Sequence, residues 1–103
     1  MQAVQRSREL LIQNRTELSN HIRGLLMEFG LVIPRGFSSL HKNIPWILED
    51  GENELPDSYR PTLNLLYERL CQLRVDLDFL DKQIALLVKE NSACSRLMIR
   101  RNR

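Results

Sequence analysis

The chain has 103 residues, of which 43% are hydrophobic and 27% are charged, and its net charge is +2. This balance is typical of a soluble, helix-rich domain and argues against a disordered chain. No stretch approaches about 18 consecutive apolar residues, and residues 1–6 lack the apolar run of a signal peptide. We therefore expect one cytoplasmic domain spanning residues 1–103.

The first predicted element is a helix over residues 2–29. Its apolar side chains recur every seven residues, at Val4, Leu11, Leu18 and Leu25. Gly30 follows as a stop signal. Gly24 lies inside the helical pattern at a cost of about 1 kcal/mol relative to alanine, so we interpret it as a point of close backbone approach. The alternative is a tolerated surface glycine.

A segment rich in helix breakers separates this helix from the next. Residues 31–36 contain one proline and one glycine and are expected to be extended. Short helices are predicted within residues 38–50. Pro45 lacks a backbone N–H and disfavours a helical conformation at Ile44, so we expect two short pieces rather than one helix.

A long helix, predicted for residues 57–91, carries the most regular pattern in the chain. Leucine and isoleucine recur at spacings that alternate between three and four, as in a coiled coil. The residues of this leucine seam are Leu63, Leu66, Leu70, Leu73, Leu77, Leu80, Ile84 and Leu87. Their burial contributes on the order of 12–24 kcal/mol before ordering costs, so the seam requires an apolar partner.

The same helix carries a second apolar edge. Its residues are Leu65, Val75, Phe79 and Leu86. Pairing with the first helix covers only one of the two surfaces, and we expect the leucine seam to remain for another molecule or another domain. The prediction is an all-α protein: a long antiparallel helical hairpin with short intervening helices that forms a coiled-coil homodimer or tetramer.

Charges beside the seam favour an antiparallel arrangement of the two copies. A parallel pair would bring like charges together, for example Arg69 and Arg74. An antiparallel pair has a register that joins Arg69 with Glu90 and Arg74 with Asp81. We therefore predict antiparallel association.

Motifs for catalysis are missing from the sequence. It contains no phosphate-binding GxxxxGK[ST], no HExxH, no GxSxG and no CxxC. His21 and His41 lie in different predicted elements, and neither has a partner at metal-ligand spacing. We predict no catalytic residue, no metal site and no cofactor, and we do not expect enzyme activity from this chain alone.

Arginines mark a candidate surface for nucleic acid. The basic stripe consists of Arg6, Arg8, Arg15 and Arg23 on the first helix, and Arg100 and Arg101 belong to a basic tail over residues 96–103. No aromatic residues alternate with these arginines, so binding to DNA or structured RNA would be directed to the phosphate backbone and sensitive to salt. The alternative is a solvated helix face.

Three blocks of residues resemble a known family. They are Arg15 to Gly30 (RTELSNHIRGLLMEFG), Pro34-Arg35-Gly36, and Leu48 to Pro56 (LEDGENELP). In this order and spacing they resemble the central region of the DEDD-type insertion-sequence transposases, the family of bridge-RNA-guided recombinases. The resemblance extends over most of the chain and includes no catalytic motif.

The resemblance implies a part of a larger protein. In that family a Holliday-junction-resolvase-like domain with acidic metal ligands precedes this region, and a transposase domain with a nucleophilic serine follows it. The helical middle forms a coiled coil that joins protomers and spaces the catalytic domains on nucleic acid. After Arg96-Leu97 the family continues with an Ile-Pro-Gly-Ile-Gly type segment, whereas this chain departs from it. That departure suggests a truncated or decayed reading frame, or an excised fragment.

Three hypotheses about function follow. The first is a non-catalytic oligomerisation and scaffold domain of an insertion-sequence transposase that supports DNA transposition. The second is a free-standing protein that binds nucleic-acid backbones through the basic stripe. A regulatory variant of the first is a remnant that pairs with full-length transposase and inhibits its assembly.

Overall fold

The computed structural model describes the backbone of residues 2–101 and the side chains of residues 2–91. Three helices make up this part of the chain, with a short 3-10 turn, Asp57–Tyr59, directly before the last: α1 Gln2–Glu28, α2 Phe37–Glu49 and α3 Arg60–Arg101. It contains no strand, so the predicted all-α class is confirmed. None of the described helices has the length and apolar character needed to cross a membrane.

Helix α1 ends at the predicted glycine through its backbone hydrogen bonds. Gly30 has φ +73°, a conformation that favours glycine because it has no Cβ. The N–H of Leu31 donates to the Leu26 carbonyl at 2.9 Å, and the N–H of Gly30 donates to the Met27 carbonyl at 3.0 Å. These two bonds form a Schellman motif, which satisfies carbonyls that a helix end leaves without partners.

Helix α2 is continuous across Pro45, where two short pieces were expected. Proline removes the hydrogen bond to the carbonyl four residues earlier, which belongs to His41. In the structure this carbonyl accepts a hydrogen bond from the Tyr67 hydroxyl of α3 at 3.4 Å. Packing of α2 against α3 therefore supplies a replacement partner that the local sequence does not reveal.

Helices α1 and α3 form the predicted antiparallel hairpin. Arg8 near the start of α1 forms an ion pair with Asp81 far along α3, while Ile22 and Leu26 share a buried cluster with Leu63 and Leu70. Helix α2 and the link preceding it cover one end of this pair. The core there consists of Ile22, Leu26, Ile33, Leu40, Ile44, Leu55, Leu63 and Leu70.

The assignment of the two apolar surfaces of α3 is the reverse of the prediction. Within the single chain, Leu63 and Leu70 are 1% and 0% exposed. Leu73 and Leu77 are also buried, and the remaining seam residues, Leu66, Leu80, Ile84 and Leu87, are half-buried. Ile22 and Leu26 of α1 share a buried cluster with the seam residues Leu63 and Leu70, so the intrachain hairpin itself covers this part of the seam. The second apolar edge is the surface left outside.

Gly24 does not mark a close backbone approach, contrary to our interpretation. It is exposed, and a Cβ built at this position meets no atom within 4 Å. It is therefore a surface glycine inside a helix, where it costs conformational entropy without a packing benefit.

The chain is elongated and exposes much surface. It measures 73 × 21 × 19 Å, and its accessible surface is 7810 Å². A compact monomer of 12.1 kDa would expose about 6,000 Å². The excess follows from a long two-helix hairpin that α2 covers at only one end.

Candidate interaction surfaces

The second apolar edge is exposed along the outer side of α3. The side chains of Leu65, Val75, Phe79 and Leu86 are between 53% and 64% exposed. Successive residues of a helix are rotated by about 100°, which places Val75, Phe79 and Leu86 within about 40° of one another and on the side opposite the leucine seam. Val75, Phe79 and Leu86 thus form an apolar stripe, and such stripes mark sites of association. Leu65 lies ten residues before Val75, with Glu68 and Gln72 between them on the same side.

Opposite charges lie on the borders of this edge. Arg69 and Glu90 lie on one border of the helix, and Asp78 and Lys82 lie on the other. The Lys82 Nζ atom is 3.1 Å from Asp78 Oδ2. An apolar centre with charged borders is the general layout of a helix-to-helix interface.

Two of the four arginines of the basic stripe form polar contacts within the chain. Arg8 forms its ion pair with Asp81. Arg23 donates from Nη1 to the Ile33 carbonyl at 2.7 Å and from Nη2 to the Gly36 carbonyl at 2.8 Å, so it fastens the link to α1. Nucleic-acid binding by the stripe stays a prediction, with two of its members already engaged within the chain.

The two other stripe residues lie on opposite sides of α1. Arg6 is exposed and precedes Arg15 by nine residues, which is half a turn around the helix axis. Arg15 is half-buried, and its guanidinium carbon lies 4.0 Å from the centroid of the Phe37 ring. The side chains of Arg100 and Arg101 lie outside the described residues.

Arg15 also lines a groove between α1 and α3. The groove has a volume of about 500 Å³, and its lining includes Arg74, Asp78 and Asp81 of α3. Burial, followed by the charges of Arg74 and Arg15, lowers the pKa of His41 below its usual 6.5. The imidazole therefore carries a proton less readily than an ordinary histidine, and the positive charge near the groove comes mainly from arginines.

Potential metal ligands do not gather in the described part of the chain. The Sγ atom of Cys71 lies 3.8 Å from Nδ1 of His41, whereas His21 lines a separate groove on the other side of the hairpin. Among the described residues no group of three or more His, Cys, Asp or Glu side chains is positioned to hold a metal ion.

Arg60 is a structural residue that the sequence reading missed. Its guanidinium donates to the carbonyls of Ile47 and Leu48 at 3.0 and 3.1 Å, and to Asp50 O and Asn53 Oδ1 at 2.9 and 2.7 Å. It thereby supplies donors to the C-terminal end of α2 and to the turn after it. No periodicity signals this role, because the acceptors are mainly backbone atoms.

The chain is similar in sequence to several transposases. The chain is 32% identical over 97 residues to the transposase for insertion sequence element IS1111A of Coxiella burnetii, a match that covers 94% of this chain and 27% of that protein. It is 32% identical over 90 residues to the putative transposase y4pF/y4sB of Sinorhizobium fredii, covering 87% of this chain and 23% of the relative. A probable family 20 transposase of Pseudomonas aeruginosa is 30% identical over 99 residues, with coverages of 95% and 29%.

These matches cover most of this chain but only a small part of each relative. Almost the whole chain aligns, yet it spans between 23% and 29% of the length of these relatives. No protein-family model matches the chain. No solved structure matches it either. The chain is thus related along most of its length to a portion of insertion-sequence transposases.

Proposed function

From the premise that the chain is related to a portion of insertion-sequence transposases, we propose that it is a cytoplasmic, non-catalytic oligomerisation and scaffold domain that supports DNA transposition. The three blocks of residues described above support the finer assignment to the DEDD-type, bridge-RNA-guided recombinases. The partner is a second copy of this chain or the same region of a full-length transposase.

The observation that carries this proposal is the second apolar edge. Phe79 is 58% exposed and Val75 is 60% exposed although both lie in the middle of a long, regular helix. Burying apolar side chains against a partner stabilises the complex by roughly 25 cal/mol per Å² of apolar surface removed from water. The leucine seam does not serve this purpose, because α1 already covers much of it.

Charge complementarity supports an antiparallel pair of identical chains. When two copies of α3 meet around a twofold axis near residue 80, each border of the edge faces the same border of the other copy. Arg69 then lies beside Glu90 of the second copy, and Asp78 lies beside Lys82 of the second copy. Both contacts join opposite charges, and each occurs twice by symmetry.

The first test is the mass of the chain in solution. We expect a dimer of the 12.1 kDa chain at tens of micromolar by gel filtration with light scattering, and we expect Phe79→Asp to be a monomer with unchanged helicity. An aspartate at the centre of the interface would be buried without a partner. Leu10→Asp is the matched control, because Leu10 is similarly exposed, at 56%, but lies on α1. A monomeric wild-type chain would contradict the proposal.

The second test addresses orientation by a charge exchange. In an antiparallel dimer, Lys82→Glu places a second carboxylate beside Asp78 of the other copy, and Asp78→Lys places two ammonium groups together. Each variant alone is therefore expected to dimerise more weakly, while an equimolar mixture forms the mixed dimer, in which both contacts join opposite charges. Native mass spectrometry of the mixture measures the ratio of the mixed dimer to the two homodimers. A statistical mixture of the three dimers would exclude this register.

The intrachain cost of these substitutions is small. Each one replaces the pair between Asp78 and Lys82, which lie four residues apart on α3, by a like-charge pair. Such exposed pairs contribute about 0.3–0.5 kcal/mol, so both variants should remain folded. Circular dichroism of each variant alone verifies this.

A further inference from the structure

The register of the hairpin brings two arginines to the same place. Arg8 on α1 pairs with Asp81 on α3. Arg15 follows Arg8 by seven residues, and Arg74 precedes Asp81 by seven residues, so the antiparallel register opposes Arg15 to Arg74. Both line the groove of about 500 Å³ between the helices. Two cations facing one groove repel each other unless a counter-charge lies between them.

Neither guanidinium has a counter-ion among the described side chains. The ion pairs there involve Arg8, Arg60 and Lys82, and they include neither Arg15 nor Arg74. The Nε atom of Arg15 is also buried without a hydrogen-bond acceptor. Phe37 holds this guanidinium by a cation–π contact at 4.0 Å, so it is oriented in advance and loses little freedom when it binds a ligand.

The carboxylates at the groove do not cancel its positive charge. Asp81 is paired with Arg8, and Asp78 is paired with Lys82. In the dimer proposed above, Lys82 of the second copy would neutralise Asp78 in the same way. Each of these two carboxylates is thus engaged by a cation from outside the groove lining, which leaves Arg15 and Arg74 as the two lining charges without an ion-pair partner.

We propose that this groove binds a phosphate-class oxyanion between Arg15 and Arg74. A tetrahedral oxyanion has enough acceptor oxygens to contact guanidinium groups that come from two different helices, and arginine presents its donors in a planar fork suited to phosphate. The anion would separate the two like charges and offer an acceptor to Arg15. The source of the phosphate is either the backbone of a nucleic acid or free inorganic phosphate. The site requires no oligomer, so it goes beyond the proposed function.

Thermal unfolding at constant ionic strength tests the site. We expect inorganic phosphate to raise the Tm of the chain by several degrees relative to chloride, because a ligand that binds the native state stabilises it. Arg74→Gln should lose this increase and, in chloride, should be no less stable than the wild-type chain, since the substitution removes a like-charge contact. Arg74 is exposed, so its replacement leaves the core intact.

Arg35→Gln is the matched control. Arg35 is an exposed arginine in the link before α2, and it belongs neither to the lining of this groove nor to the proposed dimer surface. This variant measures the general stabilisation that phosphate gives by exclusion from protein surfaces, so Arg35→Gln should keep the full increase in Tm. An increase of equal size in Arg74→Gln, or no increase in the wild-type chain, would overturn the proposal.

A second readout identifies the groove and the source of the phosphate. In a phosphate titration followed by NMR, the Nε–Hε signal of Arg15 should shift in the wild-type chain and stay in place in Arg74→Gln. Fluorescence anisotropy with labelled duplex DNA separates the two sources. Binding that weakens in Arg74→Gln and in competing phosphate assigns the site to nucleic-acid backbones, and no dependence on Arg74 assigns it to free phosphate.

Discussion

Leu70→Ala is expected to destabilise the folded chain by about 3 kcal/mol, because it removes a fully buried side chain and leaves a cavity. Leu70 is 0% exposed and belongs to the cluster that joins α1, α2 and α3. Chemical denaturation followed by circular dichroism measures the change in the free energy of unfolding. The substitution is introduced into Phe79→Asp, so that dimer formation does not contribute.

Leu65→Ala in the same background is the control for this experiment. Leu65 is five residues away on the same helix and 64% exposed, so the free energy of unfolding should change by no more than about 0.5 kcal/mol. The pair of substitutions determines which apolar surface of α3 the chain buries. A larger loss for Leu65→Ala than for Leu70→Ala would show that the hairpin packs through the other edge.

Arg60→Lys should lower the free energy of unfolding by about 2–4 kcal/mol, although it conserves the charge. Only 15% of the Arg60 side chain is exposed, and its planar guanidinium serves several acceptors at once. A lysine ammonium is a single point with three donors and cannot span the same acceptors. Carbonyls at the end of α2 would then be left with incomplete hydrogen bonding.

Asp57→Asn separates the role of the carbonyls from that of the ion pair. The Asp57 side chain pairs with Arg60 but is 95% exposed, so solvent screens the interaction and its loss should have little effect on stability. Equal effects of Arg60→Lys and Asp57→Asn would mean that the ion pair, and not the contacts with α2, stabilises this turn.

The helices and their hairpin could be predicted because periodicity is a local property of the sequence. The heptad spacing of α1 and α3 and the stop at Gly30 correspond to the observed elements, but the predicted end of the long helix at residue 91 is wrong, because α3 extends to Arg101. The choice of which surface lies inside could not be predicted in the same way. Both the leucine seam and the second apolar edge are apolar stripes, and a stripe does not indicate whether its partner is within the same chain or in another.

Other features depend on contacts between residues far apart in the sequence. Pro45 lies within α2 because Tyr67, 22 positions later, donates to the carbonyl that proline leaves unpaired. Arg8 and Arg23 share a helix face, as their spacing indicates, but the spacing does not reveal that Asp81 and the link residues engage them. The opposition of Arg15 and Arg74 likewise required the register of the hairpin.

The pairing of Arg8 with Asp81 has a consequence for how the length of this chain can vary. Inserting one residue into α3 between Leu70 and Asp81 would rotate the following part of the helix by about 100° and turn the outer stripe toward α1. Inserting seven residues into both α1 and α3 would rotate each by only about 20°, keep the two helices in register and lengthen the hairpin by about 10 Å. The hairpin can therefore change its length in steps of a whole heptad, because only such steps keep the leucine seam facing α1.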